Sequence, residues 1–223
     1  MNLIVVGSVA LDSVETPHGK VDNALGGSAV YFSVSASYFT QVGIVAVIGQ
    51  DFPAEHLDFL QSKSIDVGGL TRESGLTFHW KGKYSGDLNE AETLDTQLNV
   101  FETFRPHIPA EYCEAPFVFL ANIDPELQLT VLEQVKHPKL TICDTMNFWI
   151  EGKIDQLKET IKRVDILIIN EGEARLLSQE YNLIRAYQKI SSQGPTTVVV
   201  KQGSYGALLF TPKSIFSAPA YPL

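Results

Sequence analysis

Three stretches of this sequence carry residues whose types and spacing can do chemistry. The first pairs Asp12 with Gly26-Gly27-Ser28. Asp12 lies just past an apolar run, Leu3–Val9, where a carboxylate at a strand end can accept hydrogen bonds from paired hydroxyls of a ligand. Two glycines ahead of a small, apolar helix over 29–39 let a ligand approach the backbone, and Ser28 can cap the free amides. The second is Asn170-Glu171-Gly172-Glu173, which sets an amide and a carboxylate across one helical turn. Such a carboxylate can hold Mg2+ through water, as is usual beside phosphates. The third is Lys201-Gln202-Gly203-Ser204-Tyr205-Gly206, where backbone can contact a nucleotide and Lys201 can reach a phosphate. Each has a plainer reading when it stands alone: a tight turn and a cap, a capping interaction, and a hairpin turn. The third is no Walker A loop, because no GK[ST] occurs and no helix follows.

The elements that must position these residues alternate. Leu3–Val9, Val42–Gly49, Pro116–Asn122, Leu140–Met146, Asp165–Asn170 and Thr196–Gln202 are β-rich apolar runs, the pattern of strands covered on both faces. Helix signals lie between them. Asp124-Pro125-Glu126 supplies an N-cap and a proline at the first helical position, with Leu127, Val131, Leu132 and Val135 as one stripe. Ile154, Leu157, Ile161 and Val164 repeat at helical spacing, as do Leu183, Ala186, Tyr187 and Ile190, while Asp51 and Pro53 open a helix with Leu57 and Leu60 inward. Strand–helix alternation implies βαβ units and an α/β fold with a doubly wound, mostly parallel sheet.

Residues 72–104 break that rhythm. Phe78, Trp80, Gly82 and Tyr84 alternate with polar residues, and Leu94, Thr96, Leu98 and Val100 do the same, with a loop expected at Gly86–Asn89. Two amphipathic strands outside any βαβ unit suggest a small projecting sheet that covers a site or pairs with another subunit; an ordinary surface hairpin is the plainer alternative. No repeat or linker interrupts the chain, so a single domain over 1–223 with inserted strands is expected.

Composition narrows the function classes. Hydrophobic residues make up 44% and charged residues 19% of the 223, too apolar for disorder. A net charge of −9 argues against nucleic acid or an anionic membrane as partner. Cys113 and Cys143 read as two reduced, buried thiols rather than a disulfide or metal pair. No basic leader precedes Leu3–Gly7 and no apolar stretch reaches the roughly 20 residues of a membrane span, so a soluble, cytoplasmic protein is expected.

Taken together, the order Asp12, Gly26-Gly27, Val47-Ile48-Gly49-Gln50-Asp51, Asn170-x-x-Glu173 and Lys201-x-Gly203-x-x-Gly206 resembles the ribokinase (PfkB) family of carbohydrate and nucleoside kinases along the whole chain. The resemblance implies a ribokinase-like α/β fold with a β-sheet lid, built from 72–104 and the segment near Val14–Ala24, that excludes water on closing. It implies transfer of the ATP γ-phosphoryl group to a hydroxyl of a sugar or sugar-like molecule, with Mg2+. Asp12, Gly26, Gly27, Ser28 and Asn122 would bind the substrate, Asn170 and Glu173 would organise Mg2+ and phosphates, with Glu173 meeting the metal through water, and Lys201, Gly203 and Gly206 would line the nucleotide site. A homodimer through the lid is in reach.

The sequence departs from the family pattern in three places. No D-x-x-G-A-G-D-like segment, with its anion hole and general base, appears before Leu223, so the base is expected beyond that residue and none is assigned within it. Ser28 stands where Asn often follows the paired glycines. Asp144-Thr145-Met146-Asn147 resembles the D-x-x-N of sugar-acid kinases, but Trp149 replaces the arginine expected two residues on, which argues against a carboxylated sugar. Tyr31, Phe32 and Trp149 can stack on a base or sugar face, although core packing is the better reading for Tyr31 and Phe32 on so apolar a helix. A nucleoside kinase of the same family and a non-catalytic sugar- or nucleotide-binding module are the alternatives. A dinucleotide-dependent oxidoreductase is poorly supported, since Gly7 stands alone without a G-x-G-x-x-G.

Overall fold

The computed structural model describes residues 1–85 and 91–221, so the loop expected at Gly86–Asn89 and the terminal Leu223 lie outside the described residues. The chain divides into two compact units, one made of Met1–Ala115 with Gln134–Lys136 and the other of Pro116–Glu133 with the chain from His137 onward.

The first unit runs β1 (Leu3–Val6), β2 (Ala10–Thr16), β3 (Gly19–Gly26), α1 (Ser28–Ser37), β4 (Val42–Ile48), α2 (Ala54–Ser62), β5 (Ile65–Arg72), β6 (Phe78–Tyr84) and β7 (Ala91–Gln97). Two short 3-10 turns follow at Asn99–Thr103 and Ala110–Tyr112. β1, β4 and β5 are parallel neighbours in that order. All seven residues of β4 are buried, as its unbroken apolar run requires of a central strand. α1 packs on β4 and α2 on β5, the arrangement of βαβ crossovers.

β2, β3, β6 and β7 form a separate sheet in the order β3-β2-β6-β7, antiparallel except for the parallel β2–β6 pair. These are the strands read from the alternation at 72–104 and from the segment near Val14–Ala24. The alternation is cut short, however. β7 ends at Gln97, Asn99 turns into the left-handed region (φ 50°), and Val100 is buried in the unit's core. Every residue of β7 is exposed, Leu94 included, so its apolar face is not covered within this unit.

The second unit runs β8 (Phe117–Leu120), α3 (Pro125–Gln134), β9 (Leu140–Asp144), α4 (Asn147–Gly152), α5 (Ile154–Ile161), β10 (Ile166–Asn170), α6 (Glu171–Ser178), α7 (Leu183–Ser191), β11 (Thr197–Lys201), β12 (Ala207–Phe210) and β13 (Ile215–Ala218). β8 to β11 are successive parallel neighbours, and β12 and β13 complete the sheet antiparallel. The N-cap expected at Asp124 is present, its carboxylate accepting from the Glu126 amide at 3.0 Å with Pro125 at the first position. The stripe expected on α3 is only partly inward. Val131 is buried, but the most buried polar residue there is Gln128, whose amide donates to the Ala121 and Asp144 carbonyls at 2.9 Å each. It ties α3 to the ends of two strands in a way hydrophobic spacing cannot reveal.

Both cysteines are free thiols. Cys143 is buried, and that burial pushes its thiol pKa up; Cys113 is only half-buried, a correction to the expected symmetric pair. Among the described residues no helix is long and apolar enough to cross a membrane.

Candidate functional site

In the first unit the chemistry gathers where β2 and β3 meet α1. Asp12 on β2 pairs with Ala24 on β3, and the hairpin brings its carboxylate beside Gly26. A Cβ added at Gly26 would fall 2.0 Å from Asp12 Oδ2, so a side chain here would displace the carboxylate from this position. The Gly27 backbone lies beside the same carboxylate and favours its charged form. Burial dominates its electrostatics and raises its pKa from 3.8 to about 6; His79 and the Gly27 amide act in the opposite direction.

Gly27 has φ +98°, and a Cβ there would lie 2.3 Å from the Ser8 carbonyl oxygen, so the backbone passes Ser8 at a distance only glycine permits. Ser8, not Ser28, is what caps α1. Its hydroxyl accepts from the Ser28 amide at 3.1 Å and its carbonyl accepts from the Ala29 amide at 3.1 Å. Ser28 occupies the first helical position instead, with its hydroxyl 3.0 Å from that of Ser8. Gly27→Ala should therefore cost about 2 kcal/mol or more, through left-handed strain plus the clash, read as a lower urea midpoint at unchanged m-value.

Aromatic residues lie on the elements next to Asp12. Tyr31 is 64% exposed, against the expectation that it packs in the core, while Phe32 is half-buried. Burial, Asp12 and Tyr84 together raise the Tyr31 phenol pKa, so the phenol senses the carboxylate. Trp80 on β6 stands directly opposite Asp12 in the β2–β6 register, and therefore on the same face of the sheet. Its indole lies over Gly82, where an added Cβ would fall 2.0 Å from the ring, and its Nε1 donates to Thr93 Oγ1 at 3.2 Å. A tryptophan followed two residues later by a glycine on one strand face was the signal for this platform, and it is visible in the alternation once the partner strand is known.

In the second unit the ends of β9, β10 and β11 bring Asp144, Asn170 and Lys201 to one edge, with Asn170 paired to Lys201 and Ile168 to Asp144. Asn170 and Glu173 form a reciprocal capping box: the Glu173 amide donates to Asn170 Oδ1 at 2.8 Å, and the Asn170 amide donates to Glu173 Oε2 at 2.7 Å. The capping reading and the proximity expected for a metal-organising pair are thus both realised by one geometry. Glu173 is 9% exposed; burial raises its carboxyl pKa, the Asn170 amide and Lys201 lower it, and Asp144 raises it further.

Lys201 Nζ lies 3.3 Å from Asp144 Oδ1. Burial raises the Asp144 carboxyl pKa, with Lys201 opposing. The lysine expected to reach a phosphate is thus held by a carboxylate 57 positions away, a partner no spacing rule identifies. Lys201 thus contacts Asp144 directly and also acts on the Glu173 carboxyl, opposing the effect of burial on both. Gly203 (φ 56°) and Gly206 (φ +101°) shape the 3-10 turn Gly203–Tyr205 between β11 and β12, confirming the hairpin reading. A Cβ at Gly206 would fall 2.0 Å from the Ala218 carbonyl oxygen, so β13 approaches that glycine closely.

Asn122 follows β8 and its Oδ1 accepts from Trp149 Nε1 at 3.0 Å, which joins two candidate ligand contacts of the second unit. Phe148 packs edge-on to Trp149, with ring centroids 4.8 Å apart. Nearby, Lys153 Nζ meets Asp124 Oδ2 at 2.7 Å.

Comparison with known proteins places these features in a family. The chain is 29% identical over 228 aligned residues to a cytidine kinase of Thermococcus kodakarensis, covering all of this chain and 80% of that protein. Its fold matches the crystal structure of a Methanocaldococcus jannaschii nucleoside kinase of the ribokinase family, with TM-score 0.74 and 18% identity over 98% of this chain and 76% of that one. It likewise matches ribokinase from Thermotoga maritima, with TM-score 0.76 and 19% identity over all of this chain and 79% of that one. The structural likenesses are at low identity and establish a shared fold, an α/β architecture with a mostly parallel sheet and a small second sheet. The model of the pfkB family of carbohydrate kinases matches residues 2–222, and the chain belongs to that family.

Proposed function

We propose that this protein phosphorylates a hydroxyl of a nucleoside, with Mg-ATP as donor, and that the ribose is held by Asp12, Gly26, Gly27 and Ser28. The observation that carries this reading is the Asp12 carboxylate occupying the space beside Gly26 that a side chain there would fill, with the Gly27 backbone next to it. A carboxylate placed there has acceptor capacity for vicinal hydroxyls, the group a ribose presents. Trp80, on the face that carries Asp12, offers a flat surface for a base, and this favours a nucleoside over a free sugar. The similarity to a cytidine kinase points the same way. The four-stranded sheet bearing Asp12 and Trp80 then acts as the lid, which excludes water from the transfer. Its exposed β7 leaves pairing with a second copy open to test by light scattering.

The residues of the second unit fit the donor. Asp144 and Glu173 supply oxygen donors suited to a hydrated Mg2+, Lys201 a cation for phosphate, and the Lys201–Gly206 turn a backbone surface for nucleotide. Mg-ATP supplies the γ-phosphoryl group and the charge neutralisation of its transfer. Asn170 orients Glu173 through the capping box, and Lys201 opposes the upward pull of burial on the Asp144 carboxyl. Asn122 and Trp149 are assigned as a further substrate contact.

The test is ADP release with Mg-ATP and cytidine, other nucleosides, ribose or a hexose as acceptor. A nucleoside should drive turnover at least tenfold better than any free sugar, and Trp80→Ala should erase roughly that preference, about 1–3 kcal/mol for one stacked base. Turnover with free sugars alone, or a Trp80→Ala protein that keeps its preference, would overturn the nucleoside assignment.

A further inference from the structure

The Ile48-Gly49-Gln50-Asp51 segment, a strong part of the family resemblance, takes no part in the sites described above. Nor does Asp51 cap α2, where Pro53 is the N-cap and no side chain bonds the free amides. Its carboxylate instead reaches the connection between β5 and β6. Asp51 Oδ1 accepts from both the amide and the hydroxyl of Thr77, at 2.7 Å each. Thr77 is 1% exposed, and its hydroxyl oxygen also accepts from the Gly49 amide at 3.0 Å.

Backbone and neighbouring side chains complete the knot. The Gln50 amide donates to the Gly75 carbonyl at 2.9 Å and the Val100 amide to the Leu76 carbonyl at 3.1 Å. Asn99 Nδ2 donates to the Thr77 carbonyl at 2.9 Å, and the Arg72 guanidinium to the Gly49 carbonyl at 2.9 Å. Gly49 is what lets the segments touch: a Cβ there would lie 2.4 Å from the Thr77 nitrogen. The knot thus gathers the end of β4, the start of β6 and the exit from β7, the last two being where the small sheet joins the parallel strands on that side. The residue after Thr77 begins β6, and Trp80 comes two positions later, opposite Asp12.

We infer that Asp51 is a positioning residue for the acceptor: by holding Thr77 it fixes the root of β6, and with it the placement of Trp80 against Asp12. A hydrogen bond to a charged oxygen contributes more than a neutral one, and two converge here on a single atom, so the root is held by the strongest polar contacts of that connection. Releasing them leaves the β2–β6 ladder intact but frees the sheet to tilt about its connections. The inference rests on the reading that the Asp12 face binds the acceptor.

The full-length protein tests it with Asp51→Ala, Asp51→Asn and Thr77→Val. Because both bonds end on one oxygen, the asparagine variant retains a neutral acceptor for them and should fall between wild type and Asp51→Ala. Asp51→Ala and Thr77→Val should raise the KM for cytidine about tenfold while leaving the KM for ATP within about twofold, since misplacement acts on the acceptor alone. They should also raise the ratio of ADP formed to cytidine phosphorylated, which loss of folded protein would not change. As a readout free of turnover, Trp149→Phe leaves Trp80 as the single tryptophan, and adding Asp51→Ala should make its emission more readily quenched by acrylamide. Parallel changes in both KM values, an unchanged coupling ratio, or unchanged quenching would overturn the positioning role. An Asp12→Ala protein with unaltered acceptor affinity would instead defeat the acceptor assignment, leaving the quenching result to judge Asp51 separately.

Discussion

Replacing Asp12 by alanine should reduce acceptor affinity about 100-fold or more while leaving ATP affinity within a factor of about two, since two hydrogen bonds to a charged oxygen contribute about 1.5–3 kcal/mol each. Isothermal titration with cytidine and, separately, with a non-hydrolysable ATP analogue reads both arms. Unchanged cytidine affinity would remove Asp12 from the site. The same residue carries a pH signature. Burial raises its pKa from 3.8 to about 6, so the ionised form that accepts hydroxyl hydrogen bonds is depleted below that value. The kcat/KM for the acceptor should therefore fall as pH drops through about 6, while a limb set by ATP binding would not move with an Asp12 substitution.

Stability should respond in the opposite sense. The folded-state pKa lies above the unfolded one, so protonation favours the folded form. The stabilisation that this supplies is complete below about pH 4 and is lost as pH rises through about 6. At pH 7 the protein carries a partly buried carboxylate at a cost on the order of 1 kcal/mol, discounted for the solvent that still reaches it. Asp12→Asn should consequently be more stable than wild type at pH 7 and no more stable at pH 4, by urea denaturation, while binding acceptor poorly. A site that costs stability and is restored by neutralising it is a common mark of function.

Glu173→Gln should lower kcat by about 10- to 100-fold and raise the Mg2+ concentration needed for half-maximal rate, because an amide oxygen replaces the carboxylate proposed to face the metal and phosphates. Glutamine can still accept from the Asn170 amide, so the capping box and the start of α6 should survive and the melting temperature should hold or rise slightly. Glu173→Ala removes both functions and should in addition cost about 1 kcal/mol of stability. Full activity of Glu173→Gln across the Mg2+ titration would confine Glu173 to capping.

Local features of this protein were legible in one dimension. The β4 run Val42–Ile48, apolar at every non-glycine position, could only be a strand covered on both faces, and so it is. Asn170 and Glu173 are three positions apart, and a helix's first turn brings them together without any tertiary information. Phe78, Trp80, Gly82 and Tyr84 announced β6 by their period of two, whereas β7 was over-extended because alternation continued through Val100 after the backbone had turned at Asn99.

Contacts that close over long sequence separations were decided only by the tertiary structure. Lys201 could be expected near a phosphate from its glycine-rich surroundings, but its pairing with Asp144 depends on β9 and β11 ending at one edge of the sheet. Asp51 looked like the opening of α2 and became the tie that holds Thr77, 26 residues on. Asp12 and Gly26 were candidate ligands as separate residues; the hairpin made them one surface, with a carboxylate occupying the space a side chain at Gly26 would need. The sequence determined the strands, the helices and the residue types able to bind a hydroxyl, a metal or a phosphate, because propensity and periodicity act over a few neighbours. Which of those residues meet, and what their burial does to their charge, depended on the packing of distant segments, and only the folded chain specifies that.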